Sequence, residues 1–438
     1  MQFKQYPSYK NSGVEWLGDV PDEWDIYPFW HLFNRKEITN KTQEQLLSVY
    51  LGRGVILHSE GGGMVHKPAD NLEKYQLVEV NDFVMNNQQA WRGSVGVSPY
   101  KGIVSPAYLI FSFNKKICAP KFFKYFLRDK GVVDQFMIAS MSVGTIQRQV
   151  KWHLLKTIQL SIPSLIEQNT IANFLDTETA RIDNLIAKQE KLIELLEEQR
   201  KSIISHAVTK GLNPNAPMKD SGVEWLGEVP EHWMTPSSKH LLEIPITDGP
   251  HETPNFVDDG VPFISAEAIS KGKIDFDKKR GYITSELNAI YSKKYSPKID
   301  DIYMVKSGAT TGKVAMVETT EEFNIWSPLA VFRCNKNKVL PKFLLAVFNS
   351  SHFYDALVLN WSYGTQQNIG MGVLSNIEIP CPSLKEQAEI IQHLDAQNTK
   401  FDKLISTQSQ LIEKLKEYRS TIISHAVTGK IDVREFGA

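Results

Sequence analysis

Apolar residues recur along this chain in two rhythms. In two long stretches they return every three or four residues, the spacing that lines one face of a helix. The first stretch carries Ile182, Leu185, Gln189, Leu192, Leu196, Gln199 and Ile203; the second carries Phe401, Leu404, Gln408, Leu411, Leu415, Tyr418 and Ile422. Each member of the second stands 219 residues after its counterpart. Alternating steps of three and four predict coiled-coil helices. Pro163-Ser164-x-x-Glu167 and Pro382-Ser383-x-x-Glu386 predict their starts, the serine capping the first turn and the glutamate reaching back to it. The helices should run to about Lys210 and Thr428, where Gly211 and Gly429 stop them. Gln189 and Gln408 fall at the same core layer of the two copies. Two facing amides can hydrogen-bond and fix register at some cost in stability; the alternative is that each reaches out to solvent.

Shorter apolar runs at 76–80, 102–105, 108–113 and 329–333 predict strands, and 121–128 and 342–348 predict helices with one apolar face. These runs lie in two inserts, about 34–160 and 243–380, inside a frame that is written twice. Ser12-Gly-Val-Glu-Trp-Leu-Gly18 recurs as Ser221-Gly-Val-Glu-Trp-Leu-Gly227, each continuing to Val-Pro-x-x-Trp at Trp24 and Trp233. Pro163-Ser-Leu-Ile-Glu-Gln168 recurs as Pro382-Ser-Leu-Lys-Glu-Gln387, and Ile203-Ile-Ser-His-Ala-Val-Thr209 as Ile422-Ile-Ser-His-Ala-Val-Thr428. A period of roughly 210–220 residues is too long for a solenoid unit, so half a molecule repeats. Fainter matches survive between the inserts: Asp82-Phe-Val-Met85 with Asp301-Ile-Tyr-Met304, Ser105-Pro106 with Ser327-Pro328, and Gly144-Thr-Ile-Gln147 with Gly364-Thr-Gln-Gln367. One fold with diverged loops is expected for both, with Trp16, Leu17 and Trp24 and their copies Trp225, Leu226 and Trp233 as packing anchors against the helix ends or, alternatively, as a partner-binding surface.

The expected architecture is α+β: two mixed α/β domains separated by a pair of long antiparallel coiled-coil helices, with a pseudo-twofold internal repeat. The boundaries are 1–162 for the first domain with its frame segment, 163–212 for the first helix, 213–381 for the second domain with its frame segment, and 382–438 for the second helix and tail. Ile182 to Val208 is 27 residues, on the order of 40 Å of helix, against about 34 Å for one turn of B-DNA.

Net charge, −1 overall, points nowhere, but its distribution does. Residues 34–162 hold 17 Lys and Arg against 9 Asp and Glu, a balance of +8; residues 243–381 hold 14 against 16, or −2. Within the second insert, 271–313 holds 10 basic against 5 acidic residues. Basic charge gathered in the variable inserts suits a phosphate-binding surface. The most suggestive loops follow the matched strands. Asn86, Asn87, Gln88 and Gln89 offer amides for adenine edges, Arg92 suits guanine, and Trp91 can stack or wedge. In the second insert Lys306, Ser307, Thr310, Thr311 and Lys313 can hold phosphates, as can Lys271, Lys273, Lys278, Lys279 and Arg280. Arg53, Lys101, Arg148 and Gln366 complete the candidate DNA contacts. Cys118, Cys334 and Cys381 are odd in number and widely spaced, which argues against a disulfide framework and fits a reducing cytoplasm. No run is long and apolar enough for a membrane span.

Catalytic patterns are weak. No Asn/Asp-Pro-Pro-Tyr/Phe motif for adenine modification occurs. Lys306 to Lys313 has only three residues between Gly308 and Gly312, and Val314 where a nucleotide-binding loop needs Ser or Thr. Asp277-Lys-Lys279, with Asp258 or Asp259, has the form of a nuclease site, and a stand-alone endonuclease is one rival reading. A protein-binding scaffold without DNA contact is another. Histidine and cysteine spacings show no zinc signature, so no metal or cofactor is expected on this chain.

Taken together, the doubled frame segments, helix starts, helix ends and Gly-Thr-x-Gln turns resemble the specificity subunit of a type I restriction–modification system, over the full length. The resemblance implies a non-catalytic subunit whose two target-recognition domains each read one half of a split double-stranded DNA target. It implies that the helix pair acts as a ruler for the unread gap. It also implies two docked methyltransferase subunits and motor-nuclease subunits for restriction. Those partners, in the cytoplasm, would carry S-adenosylmethionine, ATP and magnesium.

Overall fold

A computed structural model describes residues 3–64, 68–143, 147–270, 272–360, 362–363 and 367–436. The chain forms two compact units, Met1–Gln189 with Gln410–Ala438, and Glu190–Ser409. In the first, a four-stranded antiparallel sheet is built from β1 (Phe33–Lys36), β2 (Phe83–Asn86), β3 (Val95–Val97) and β4 (Tyr108–Phe113), in the order β1-β4-β2-β3. Side chains alternate across it. Phe83, Met85, Phe111 and Phe113 enter one buried cluster, with Phe122 and Phe123 of the helix Pro120–Phe126; Val84 and Ile110 enter another on the opposite face. Both faces are covered at the centre, so β2 and β4 read as nearly continuous apolar runs, while the edge strand β1 is polar and largely exposed beyond Phe33.

The second unit repeats the design. The long helix α1 (Leu165–Lys210) leads through the frame segment to its four strands, β5 (Thr247–Asp248), β6 (Ile302–Val305), β7 (Val314–Met316) and β8 (Leu329–Phe332). Their order is β5-β8-β6-β7, the same topology as the first sheet. Ile302, Met304 and Phe332 face one cluster and Tyr303, Val305 and Val331 the other. The predicted strands appear at Gln76–Val78, Gly102–Val104, Tyr108–Phe113 and Leu329–Phe332, and the predicted helices at Pro120–Phe126 and Pro341–Phe348.

The second long helix, α2 (Leu384–Val427), closes each unit against part of α1, and within each unit the two run antiparallel. In the first unit Asp183 pairs with Arg419 (2.8 Å) while Phe174 meets Phe436 further along. In the second, Arg200 pairs with Asp402 (2.6 Å), the same ion pair displaced by the repeat. One row of the expected stripe packs inward and the other largely does not. Ile182, Ile186 and Gln189 on α1, and Phe401, Ile405, Gln408, Ile412, Leu415 and Ile422 on α2, turn inward, whereas Leu192, Leu404, Leu411 and Tyr418 are exposed. Adjacent apolar pairs such as Leu192-Ile193 and Leu411-Ile412 allow either stripe, and the inward side is chosen by what each helix packs against. The amide oxygen of Gln189 is buried with no hydrogen-bond partner among the described residues, so the expected amide pairing does not satisfy it.

The repeated motifs lock each insert to a helix start. Trp24 Nε1 donates to Glu167 Oε1 (3.1 Å) and Trp233 Nε1 to Glu386 Oε1 (3.0 Å). Gln168 Oε1 accepts from Ala119 N (2.7 Å) while its Nε2 donates to Ile117 O and Pro163 O; Gln387 does the same with Leu340 N (2.8 Å), Lys338 O and Pro382 O. The capping box is therefore only half made. Ser164 and Ser383 accept from the glutamate N–H groups (3.4 and 3.3 Å), but the carboxylates turn to the tryptophans. The indole N–H, itself buried, has no other route to a partner of that strength. Gly211 and Gly429 end the helices at φ +75° and +73°, and a Cβ on Gly429 would stand 2.6 Å from Pro21 Cγ. Each tryptophan thus packs over a helix stop as well as a helix start.

Candidate nucleic-acid interface

The loop after β2 is held by its own side chains. Asn86 Oδ1 accepts from Gln88 N (3.1 Å), and Trp91 Nε1 donates to Gln88 O (3.0 Å). A short 3-10 turn, Ala90–Arg92, presents the Trp91 ring, with the Arg92 guanidinium 4.6 Å and that of Arg148 5.9 Å from its centroid. Arg148 arrives on the hairpin strand Gln147–Val150, where Val150 N donates to Asn87 O (3.4 Å). The second unit makes the equivalent bond, Ile369 N to Lys306 O (2.8 Å). In both units, then, the hairpin bearing the Gly-Thr-x-Gln sequence sits on the loop after the matched strand. The turns at 144–146 and 364–366, with Gln366, lie outside the described residues, as does Lys271.

Asn86, Asn87, Gln88, Gln89, Trp91, Arg92 and Arg148 are thus brought together as one polar, cation-bearing surface around an aromatic ring. Asn87 Oδ1 is buried without a hydrogen-bond partner among the described residues. Arg53 lies on a hairpin turn over Tyr50, donating to Glu60 O (3.2 Å). Lys101 pairs with Glu44 (2.7 Å), whose hydrogen bond raises the lysine's pKa.

The second unit corrects several expectations. Lys306 is mostly buried and its ammonium lies 3.2 Å from Asp248, a carboxylate that also meets Lys294 (2.6 Å) and His251 (3.0 Å). Burial alone would raise the Asp248 pKa; hydrogen bonds from Lys294 and Lys306 outweigh it and hold the carboxyl below its ordinary value. Lys306 therefore neutralises a buried acid and is not free for phosphate. Thr311 is buried and its hydroxyl donates to Gly308 O (2.6 Å), so it too is spent on the turn. The loop's N–H groups at Thr311, Gly312 and Lys313 bond to Gly308 O, Val305 O and Thr310 O, so these three are spent on the turn itself. Ser307 bridges to Asn368, while Thr310 is half-buried and Lys313 exposed. The described members of the basic cluster are all engaged: Lys273 with Glu318 (3.4 Å), Lys278 with Asp275 (2.9 Å), Arg280 with Glu267 (3.0 Å), and Lys279 against the Tyr282 ring. Arg280 also stacks on Trp326, 5.3 Å from its ring.

A cavity of about 1160 Å³ opens in the first unit beside Arg92 and Gly93. Lys124, Arg128 and Lys130 line it from the insert, and Arg419 and Lys430 from the α2 side. These residues were not singled out by sequence, since two segments far apart in the chain contribute them; the +8 balance of the insert was the available signal. Among the described residues no group of three or more His, Cys, Asp or Glu is placed to hold a metal ion, and no helix is long and apolar enough to cross a membrane.

Residues 230–417 match the family model described as the type I restriction modification DNA specificity domain. The chain is similar to the type I restriction enzyme MjaVIII specificity subunit of Methanocaldococcus jannaschii, at 26% identity over 99% of this chain and 98% of that one. It is also similar to the EcoKI specificity subunit of Escherichia coli K12, at 22% identity over 84% of this chain and 78% of the other. Among solved structures it is similar to a chain described in work on complex assembly and conformational transition of the type I R-M system. There the TM-score is 0.67 and the identity 16%, over 93% of this chain and 98% of that one. The HsdS subunit from Thermoanaerobacter tengcongensis gives a TM-score of 0.53 at 16% identity, over 94% of this chain and 98% of that one.

Proposed function

We propose, for a chain that belongs to the specificity subunits of type I restriction–modification systems, that it recognises a bipartite, asymmetric DNA sequence and catalyses nothing itself. The observation that carries this reading is one sheet topology set twice on one frame with unlike loops, Asn86 to Gly93 in one copy and Val305 to Lys313 in the other. Two different surfaces on equivalent mounts suit two different half-sites. The surface around Trp91, with Arg92 and Arg148, reads the first; the loop at Ser307, Thr310 and Lys313 reads the second. Methyltransferase subunits dock on the frame and motor-nuclease subunits join for restriction, bringing S-adenosylmethionine, ATP and Mg²⁺.

Single-molecule methylome sequencing of the host, with and without the gene, tests the reading. One split motif with unlike halves should be methylated only when the gene is present. Loss of the gene without loss of any methylated motif would refute it. Cutting of unmethylated DNA by the purified chain with magnesium, abolished by Asp277→Ala, would favour the endonuclease instead.

The two long helices set the unread gap. Each contributes to both compact units and runs antiparallel to the other in each. Removing one heptad from both removes about 10 Å of helix, or roughly three base pairs at about 3.4 Å each. The methylated motif of that variant should therefore carry a gap shorter by that amount; an unchanged gap rules the helices out as the ruler.

A further inference from the structure

The cavity beside Arg92 is not accounted for by the packing of the frame. Its three carboxylates are already committed. Asp129 caps the helix Lys130–Ile138 by accepting from Gly131 N (3.0 Å), Asp176 accepts from Tyr125 OH (2.5 Å) and meets Lys124 (3.4 Å), and Asp183 holds Arg419. That leaves cations without acidic partners. Lys130 and Lys430 are exposed and make no ion pair among the described residues. Arg128 is half-buried and its guanidinium donates to the Gly52 carbonyl rather than to a carboxylate. Burial, and then the charge of Arg419, push its pKa below the ordinary arginine value, as expected for a cation held where an anion is missing.

The second unit shows that the fold does not require this charge. Pro120 and Pro341 open equivalent helices, and Asp129 and Ser350 cap the equivalent next ones. At that offset Lys124, Arg128 and Lys130 correspond to Leu345, Asn349 and Ser351. There Ser351 settles into the packing, its N–H donating to Ser205 Oγ (2.8 Å). The same joint is thus built once without the insert's three cations, with Arg200 standing where Arg419 does, and once with them.

We propose that this cleft of the first unit takes the sugar–phosphate backbone of DNA next to the first half-site, with Arg128, Lys130 and Lys430 as phosphate contacts. The proposal rests on the DNA-reading function above. Continuity favours DNA over an acidic protein segment: Arg92 lines the cleft and also stacks on Trp91 in the candidate reading surface. The volume exceeds the roughly 300–1,000 Å³ of a small-molecule pocket. Contacts of this kind position the duplex and carry no sequence information.

The test compares the assembled methyltransferase complex carrying wild-type chain with one carrying Lys130→Ala and Lys430→Ala. Both side chains are exposed, so an unchanged melting temperature is expected; a charge-reversing pair, Lys130→Glu with Lys430→Glu, should exaggerate the effect. Affinity for duplex DNA is measured across a salt series, on target and non-target sequence. Loss of two phosphate contacts should make the slope of log affinity against log salt shallower by about 1.8, equally on both sequences. The methylated motif should stay the same. If wild type binds its target specifically and the variants keep the same affinity and slope, the cleft is not a phosphate site while the reading function stands. Release of the methyltransferase subunits with an unchanged slope would instead make it a protein-docking cleft and overturn the proposal. Absence of DNA binding by the wild-type complex would sink both readings together.

Discussion

Trp24→Ala should destabilise the first unit by about 3–5 kcal/mol, the usual cost of truncating a buried tryptophan. Trp24 is 1% exposed, lies against Gly429 at the end of α2, and hydrogen-bonds Glu167 at the start of α1. Truncation opens a cavity between a helix start and a helix stop, and neither end can collapse without moving its backbone. Glu167 would keep one donor, Tyr6 OH at 2.5 Å; burial and the Glu167 bond push that phenol's pKa above its ordinary value, so it remains protonated. Trp24→Phe removes the indole N–H but keeps most of the ring and should cost only about 1–2 kcal/mol. Trp233→Ala should produce the equivalent loss in the second unit, where Trp233 is 0% exposed and bonds Glu386. Hydrogen exchange read peptide by peptide distinguishes the sites: Trp24→Ala should speed exchange in 3–64 and 165–189, and Trp233→Ala in 228–248 and 384–395. Equal effects of Phe and Ala at either position would mean that the hydrogen bond, not burial, holds the anchor.

Repetition made the frame legible, because a second copy acts as a check on every inference. The matched strands at Phe83 and Ile302, the helix starts at Pro163 and Pro382, and the burial of both tryptophans all follow from segments quoted in pairs. What stayed hidden depends on contacts far apart in the chain. Gln168 looked like an ordinary first-turn residue, yet its amide joins three backbone groups, among them Ala119, 49 residues earlier. Lys306 looked free until Asp248, 58 residues away in sequence, took its charge. One row of the helix stripe, that of Leu192, Leu404, Leu411 and Tyr418, failed for a different reason: with apolar residues at both Leu192 and Ile193, sequence spacing allows two faces and only the packing partner selects one. The reading loops were legible as polar and glycine-containing, but not which of their groups fold back on the loop, as Thr311 and Asn86 do.

Exchange of residues 34–160 for the corresponding insert of another specificity subunit should change one half of the methylated sequence and leave the other half and the gap intact. The two sheets of this chain already show the exchange to be physically reasonable. β1-β4-β2-β3 and β5-β8-β6-β7 have one strand order, and each is tied to its helix by the same tryptophan–glutamate bond and the same glutamine clamp. The frame therefore accepts different loops without a change of mount. A half-site with three altered base pairs, at about 1–3 kcal/mol each, should lower affinity for the original target by several kcal/mol, enough to abolish its modification. The new motif should retain the original second half because nothing in the exchanged segment contributes to the second unit, Glu190–Ser409. The measurement is the methylated motif of a strain expressing the hybrid with its methyltransferase partner. Change in both halves would mean that the inserts do not read independently, and change in neither would place recognition outside 34–160.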